Sequence, residues 1–196
     1  MPSTPYNPAL VTAAILSGGA GRRLGGRDKG LELLAGRPMI SHVIQAIRPQ
    51  ASNLLICTSR NISLYAQFAV TCSDQVGGFA GPMAAIVSAL KACSTPWLLT
   101  TPVDCPRPAS RLAIRLHAAN ARVAVAHDGS RRQPLFALYR REVAATAESA
   151  LAADMGVWQW QDALGAVAVD FSAVANSFVN LNTREDFRQW ERANEE

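Results

Sequence analysis

Two rhythms of apolar residues alternate along this chain. Short unbroken apolar runs, bounded by glycine or polar residues, exchange with longer stretches whose apolar positions fall three and four apart. Val11–Leu16 is the first run, and it stops at Ser17-Gly18-Gly19 as a strand buried on both faces does. Pro38 then stands where helices start, and Met39–Ile47 carries helical spacing. The pattern next predicts a strand at 54–57, a helical stretch around 63–68 and a short strand near 69–72. A glycine-rich loop spans 74–81, and Pro82 opens a helix through about Lys91. A strand at 97–101 ends in Pro102-Val103-Asp104, followed by a helix over 111–119 and strands at 123–126 and 134–139. Helices at 141–152 and 157–164, a strand at 167–169, a last short strand at 178–181 and a closing helix from Thr183 to about Asn194 complete the reading.

Strands alternating with helices of this length imply βαβ units. The expected fold is α/β: a single Rossmann-like, doubly wound, mostly parallel sheet with helices on both faces. From Val123 onward the pattern is less regular, and an antiparallel strand and a lobe over one edge are expected there. At 196 residues one domain is enough, and no repeat or low-complexity linker marks a second.

Composition narrows the function. The chain is 49% hydrophobic and 17% charged, which suits a packed core and excludes disorder. A net charge of +4 fits a protein that handles polyanionic small molecules. No Lys/Arg run with interleaved aromatics offers a groove for nucleic acid. The N-terminal segment has no basic start and its apolar run is short, so it is a poor signal peptide, and no stretch is apolar for long enough to span a bilayer. Cys57, Cys72, Cys93 and Cys105 follow no metal-ligand or CxxC spacing, and they read as reduced, buried thiols of a cytoplasmic protein.

The densest chemistry lies in Leu16-Ser-Gly-Gly-Ala-Gly-Arg-Arg-Leu-Gly-Gly-Arg-Asp-Lys29. It follows the first strand directly, where a doubly wound sheet places its ligand. Its glycines let the backbone approach phosphate oxygens and aim N–H groups at them. Arg22, Arg23 and Lys29 add fixed positive charge, as a triphosphate and its transition state require. Two familiar loops are excluded. Lys29 lacks the glycine before it and the Ser/Thr after it that a P-loop needs, and Gly19-Ala20-Gly21-Arg22-Arg23-Leu24 misses the third glycine of the dinucleotide fingerprint. Asp104 ends a strand; if that strand lies beside the first, its carboxylate faces the glycine loop and can hold Mg²⁺. Otherwise it caps the helix that follows Pro108.

The segment 16–31 resembles the signature of nucleotidyltransferases with an LxGGxxxRxGxxK-type loop, and its RRLGG and DK elements are similar to those of the molybdenum cofactor guanylyltransferases. Gly36-Arg37-Pro38, the loop from Gly77 to Pro82, Pro102-Val103-Asp104-Cys105-Pro106, His127-Asp128-Gly129 and the segment from Phe178 to Thr183 resemble that family in the same order. The resemblance spans nearly the whole chain. It implies transfer of GMP from GTP to the phosphate of molybdopterin or Mo-molybdopterin, with Mg²⁺, and release of pyrophosphate. It divides the single domain, 1–196, into a nucleotide-binding half, about 11–120, and an acceptor-binding half, about 121–196. Other cofactor-synthesis and delivery proteins are the partners it suggests.

On this reading Lys29, Arg23, the loop amides and the metal on Asp104 carry the chemistry. Leu16, Ser17, Gly18, Gly19, Gly26 and Lys29 contact the nucleotide, with base reading by backbone groups near Leu16 and Gly18. Asp74 corresponds to a nucleotide-contacting acid in the family, and Ser-Asp before glycines is equally common turn chemistry. Where the family has Asn at the end of the second strand this chain has Cys57, with Asn53 before and Asn61 after. Arg131 and Arg132 either receive an anionic acceptor or sit on a solvated hairpin. Trp158 and Trp160, two apart, divide between core and surface, and His42 and His117 read as helix-face residues rather than ligands. Asn180 and Asn182 fall on one face of the predicted strand and offer paired amides to the pterin, unless Asn182 only caps the last helix.

Overall fold

A computed structural model describes residues 5–18, 27–73, 75–76 and 79–194. The first strand, β1 (Val11–Leu16), precedes a 3₁₀ turn at Lys29–Leu31, a hairpin of β2 (Leu33–Leu34) and β3 (Arg37–Pro38), and α1 (Met39–Ile47). Next come β4 (Asn53–Cys57), α2 (Ile62–Tyr65), β5 (Val70–Cys72) and a small hairpin of β6 (Gln75–Val76) and β7 (Phe79–Ala80) inside the predicted glycine loop. Then α3 (Pro82–Ala92), β8 (Trp97–Pro102), α4 (Leu112–Ala118), β9 (Val123–His127) and the long β10 (Arg132–Arg140) follow. The last elements are α5 (Ala144–Ala152), α6 (Val157–Ala163), β11 (Val167–Asp170) and α7 (Arg184–Ala193).

Among the described residues seven strands form one sheet in the order β11-β9-β10-β8-β1-β4-β5, and β10 alone runs antiparallel to its neighbours. β1 and β8 are buried at every position because helices cover both faces of the sheet. Their side chains alternate between two cores. Ala14 and Leu16 join Ile86, Leu90, Leu151 and Trp160 beneath α3, α5 and α6. Ala13 and Ile15 join Ile40, Val43, Leu112 and Phe136 beneath α1 and α4. Trp160 is the core member of the tryptophan pair, stacked on Tyr139 with ring centroids 5.2 Å apart, and Trp158 is exposed.

The antiparallel strand expected over one edge lies inside the sheet, between β8 and β9, and β11 forms the edge. β10 also starts earlier than its pattern predicts and carries Pro134. The ladder with β9 breaks between Gln133 and Ala137, because proline has no N–H to donate and is accommodated only where pairing lapses.

The predicted strand at 178–181 does not form. A 3₁₀ segment, Ser172–Phe178, occupies its start, and the residues after it run without a ladder partner. Phe178 and Leu181 are buried as their apolar character demands. The Leu181 N–H donates to the carbonyl oxygen of Asp104 at 2.7 Å, so the segment crosses the end of the sheet as a strap.

α7 holds that strap in place. Thr183 caps the helix and accepts from the Asp186 N–H at 3.1 Å, while Asp186 Oδ2 accepts from the N–H groups of Asn182 and Thr183 at 2.7 Å each. Phe187 and Leu181 bury against Leu34 and Met39 in a small third core. Phe187→Ala should therefore cost about 3 kcal/mol, the usual loss for a buried phenylalanine, and loosen α7 selectively. Urea unfolding gives the first quantity, and amide exchange at Leu181 and in α7 checks the second.

Candidate active site

β1 and β8 pair in parallel, with Leu16 opposite Pro102, and the Val103 N–H donates to the Leu16 carbonyl at 3.0 Å. From β1 the chain passes to β4 on one side, and β8 returns on the other. Their carboxyl ends form the switch point at which a doubly wound sheet binds ligands. Asp104 emerges there and meets Lys29. Its Oδ2 lies 3.1 Å from Lys29 Nζ, and Lys29 also donates to Asn182 Oδ1 at 2.5 Å. Both charged side chains are about one-fifth exposed.

The other oxygen of Asp104, Oδ1, is buried and has no hydrogen-bond partner. Such a group is costly to leave unsatisfied, and its cost is relieved by a hard cation. No cluster of three or more His, Cys, Asp or Glu able to hold a metal occurs among the described residues. A cation on Asp104 would complete its shell with phosphate oxygens and water, as Mg²⁺ does. Asp104 does not cap α4, whose N-cap residue is Arg111.

Lys29 is aimed by a hydrogen-bond network that nothing in the apolar pattern announces. Ser17 Oγ donates to Tyr65 Oη at 2.6 Å, Tyr65 donates to Asp28 Oδ1, and Asn61 Nδ2 donates to Asp28 Oδ2 at 2.9 Å. Asp28 also caps the turn that carries Lys29, accepting from the Gly30 N–H at 3.2 Å. Burial, then the Asp28 hydrogen bond, pushes the Tyr65 phenol far above its ordinary range, so it stays a donor. Gly30 is required by this packing: a Cβ there would stand 2.3 Å from Tyr65 Oη and 2.9 Å from Val103. Asp28 was legible only as the neighbour of Lys29, and Tyr65 only as an apolar helix position.

Leu16 ends β1, and Ser17 and Gly18 follow it, with the Ser17 N–H donating to the Cys57 carbonyl at 2.9 Å. Cys57 is fully buried, and its sulfur lies 2.8 Å from that of Cys72. Gly19, Arg22, Arg23, Gly26 and Asp74 lie outside the described residues. The expected shared face of Asn180 and Asn182 fails with the strand. Asn182 turns to Lys29, while Asn180 lines a cavity with Pro102 and Arg131. The cap of α7 is Thr183, so Asn182 is left to Lys29. His42 meets the Leu34 carbonyl at 2.8 Å, and His117 packs between Tyr6 and Trp97. Burial and then Arg140 lower the pKa of His117.

A doubly wound sheet with a lysine and an aspartate facing each other at its switch point is the frame of a nucleotidyltransferase. The sequence profile of the MobA-like NTP transferase domain matches residues 13–168, and the chain belongs to that family. It is 39% identical to the molybdenum cofactor guanylyltransferase of Shewanella halifaxensis, across 92% of this chain and 94% of that protein. With the protein of the same name from Vibrio vulnificus the identity is 38%, across 93% and 96%. Among solved structures, the molybdopterin-guanine dinucleotide biosynthesis protein A of Archaeoglobus fulgidus shares the fold with a TM-score of 0.77 and 22% identity, covering 93% of this chain and 97% of that one. The 4-diphosphocytidyl-2C-methyl-D-erythritol synthase of Anaerococcus prevotii shares it with a TM-score of 0.71 at 11% identity, covering 97% and 100%.

The cap that presents Asn182 is pH-sensitive. Hydrogen bonds from the N–H groups of Asn182 and Thr183, with the charge of Lys29, hold Asp186 below its ordinary value of 3.8. A carboxyl with a depressed folded pKa stabilises above its unfolded value and loses that contribution as pH falls through the folded one. The stability deficit of Asp186→Asn should thus be constant above about pH 5 and shrink as pH drops below 3.8. Thermal melts of both proteins between pH 3 and 7 measure it.

Proposed function

We propose that this chain transfers GMP from GTP to the phosphate of molybdopterin, or its molybdenum-loaded form, releasing pyrophosphate, in a Mg²⁺-dependent reaction. The observation that carries the proposal is the Lys29–Asp104–Asn182 cluster at the switch point, with one Asp104 oxygen buried and unpartnered. Family membership and relatives that bear the guanylyltransferase name support it.

Phosphoryl chemistry of this kind asks the protein mainly to position groups and neutralise charge. Lys29 supplies a cation held in place by two acceptors, and its turn is braced by Asp28 and Tyr65. Mg²⁺ bound at Asp104 would withdraw charge from the α-phosphate and help orient the triphosphate. Arg23, Gly19 and Gly26 are assigned to the phosphates on the loop's resemblance, Leu16, Ser17, Gly18, Cys57 and Asp74 to the nucleoside, and Asn180 and Asn182 to the acceptor side. The acceptor oxygen attacks the α-phosphorus as the bond to the pyrophosphate oxygen breaks. The nucleotide half, about 11–120, brings Lys29 and Asp104; the acceptor half, about 121–196, brings Asn180 and Asn182. No helix among the described residues is long and apolar enough to cross a membrane; a reaction that consumes GTP fits the cytoplasm.

Incubation with each of the four labelled triphosphates, molybdopterin and Mg²⁺ should yield a dinucleotide with GTP only; equal incorporation from CTP would make the enzyme a cytidylyltransferase instead. Lys29→Ala should lower kcat/KM on the order of a hundredfold, as loss of one charge-assisted contact worth roughly 2–4 kcal/mol in the transition state does. A fall of less than threefold would remove Lys29 from the chemistry. Asp104→Asn should keep the fold by circular dichroism yet lose most turnover, and near-normal rates at saturating Mg²⁺ would refute its role as metal anchor.

A further inference from the structure

Beside the Lys29–Asp104 pair the carboxyl end of the sheet opens into a cavity of about 330 Å³. Pro102, two residues before Asp104, forms one wall, and Asn180, two residues before Asn182, forms another. Trp158 and Arg132 also line it, with the guanidinium carbon over the indole, 4.1 Å from the ring centre. A second cavity, between Leu31 and Phe187, lies against α7 and the β2–β3 hairpin rather than at the strand ends, and two of its three arginines, Arg27 and Arg188, are paired with Glu32 and Glu185.

The Trp158–Arg132 stack is braced from several sides. Arg132 pairs with Asp162 at 2.5 Å, and its side chain is only 19% exposed. Gln161, on the same helix as Trp158 and Asp162, donates to the Pro134 carbonyl at 2.8 Å and to Tyr139 Oη at 2.6 Å, which fixes α6 against the break in β10. The turn that leads into Arg132 is closed by Asp128, which accepts from the N–H groups of Ser130 and Arg131 at 2.8 Å each and from Gln133. Despite this bracing, 43% of Trp158 stays exposed. An indole with a guanidinium over its ring offers both an aromatic surface and a cation to a flat heterocycle, and Arg131 adds a second cation to the lining of the cavity.

We infer that the Trp158–Arg132 stack is the shelf on which the flat heterocycle of the acceptor lies. This rests on the proposed transfer reaction and names the surface that would select its second substrate. An acceptor whose phosphate reaches Lys29 and Asp104 has its ring system carried past Pro102 and Asn180 into this cavity. Stacking on Trp158 recognises a planar bicycle such as a pterin and discriminates against a non-planar sugar phosphate. Trp158 is a binding residue for the acceptor, and Arg132 orients its ring.

The test compares wild type, Trp158→Ala and Trp158→Phe, under anaerobic conditions, by steady-state kinetics and by titrating tryptophan fluorescence with molybdopterin alone. Loss of a stacked ring should raise the acceptor KM on the order of tenfold in Trp158→Ala, with the KM for GTP within twofold of wild type. Trp158→Phe, which keeps a ring, should stay within about threefold for the acceptor. Molybdopterin should quench wild-type fluorescence, and the quench should shrink in both variants. A wild-type protein that makes no dinucleotide but still shows the Trp158-dependent quench would support the shelf and overturn the transfer reaction. An active wild type whose acceptor KM and quench are unmoved in Trp158→Ala would overturn the shelf and leave the reaction standing. Equal losses for GTP and acceptor with a lowered Tm in both variants would also overturn it, by showing that Trp158 only braces α6.

Discussion

Parallel pairing of β1 with β8 is the constraint from which the site follows. The two strands are far apart in sequence, and each is buried along its whole length, so their register is fixed by two cores at once. A slip of one residue would exchange the Ala13 and Ile15 face for the Ala14 and Leu16 face and strand apolar groups on the wrong side. With the register set, the end of β1 and the end of β8 stand side by side, and the residues beyond them meet. Lys29 and Asp104 become partners without any direct signal between them in the chain.

That meeting is electrostatically demanding. A lysine and an aspartate withdrawn from most solvent stabilise each other only if their remaining bonds are also placed. Lys29 finds a second acceptor in Asn182; Asp104 is satisfied at Oδ2 and left unsatisfied at Oδ1. Around it the fold spends several elements on positioning. The strap from Phe178 to Asn182 is fastened to Asp104 by one backbone hydrogen bond and to α7 by the Thr183–Asp186 cap. The turn at Lys29 is fastened by Asp28, Tyr65 and Ser17. Gly30 has no side chain because the tyrosine occupies the space one would need.

The chain from Val123 onward follows a different logic from the part before it. β10 reverses direction inside an otherwise parallel sheet, and Pro134 breaks its ladder with β9. The break leaves a hollow at the strand ends, floored by the strand and walled by α6. Parallel βαβ units alone would have filled this region with another crossover. The reversed strand contributes Arg132 to Phe136 to the cavity that also holds Pro102 and Asn180.

Much of this was legible in the chain itself. The alternation of short apolar runs with helical stretches determined the α/β class and the strands and helices of the main sheet from Val11 to Val169, because burial on two faces leaves a strand no polar positions, while the small β2–β3 and β6–β7 hairpins left no such signal. The glycine-rich, cationic segment after β1 supplied the expectation of a phosphate site that the proposed function uses, since few other uses need that composition there. Asp104 was legible as a strand-end acid. The segment from Phe178 to Leu181 was misread because alternation marks alternate burial, and a strap pinned at both ends buries alternate residues as well as a strand does. Tertiary structure alone decided that Asn182 belongs to Lys29, that Tyr65 braces Asp28 and that Trp158 rather than Trp160 reaches the surface. Each of those depends on which residues the sheet brings together across dozens of positions, and side-chain contacts of that range leave no periodic trace in a single sequence.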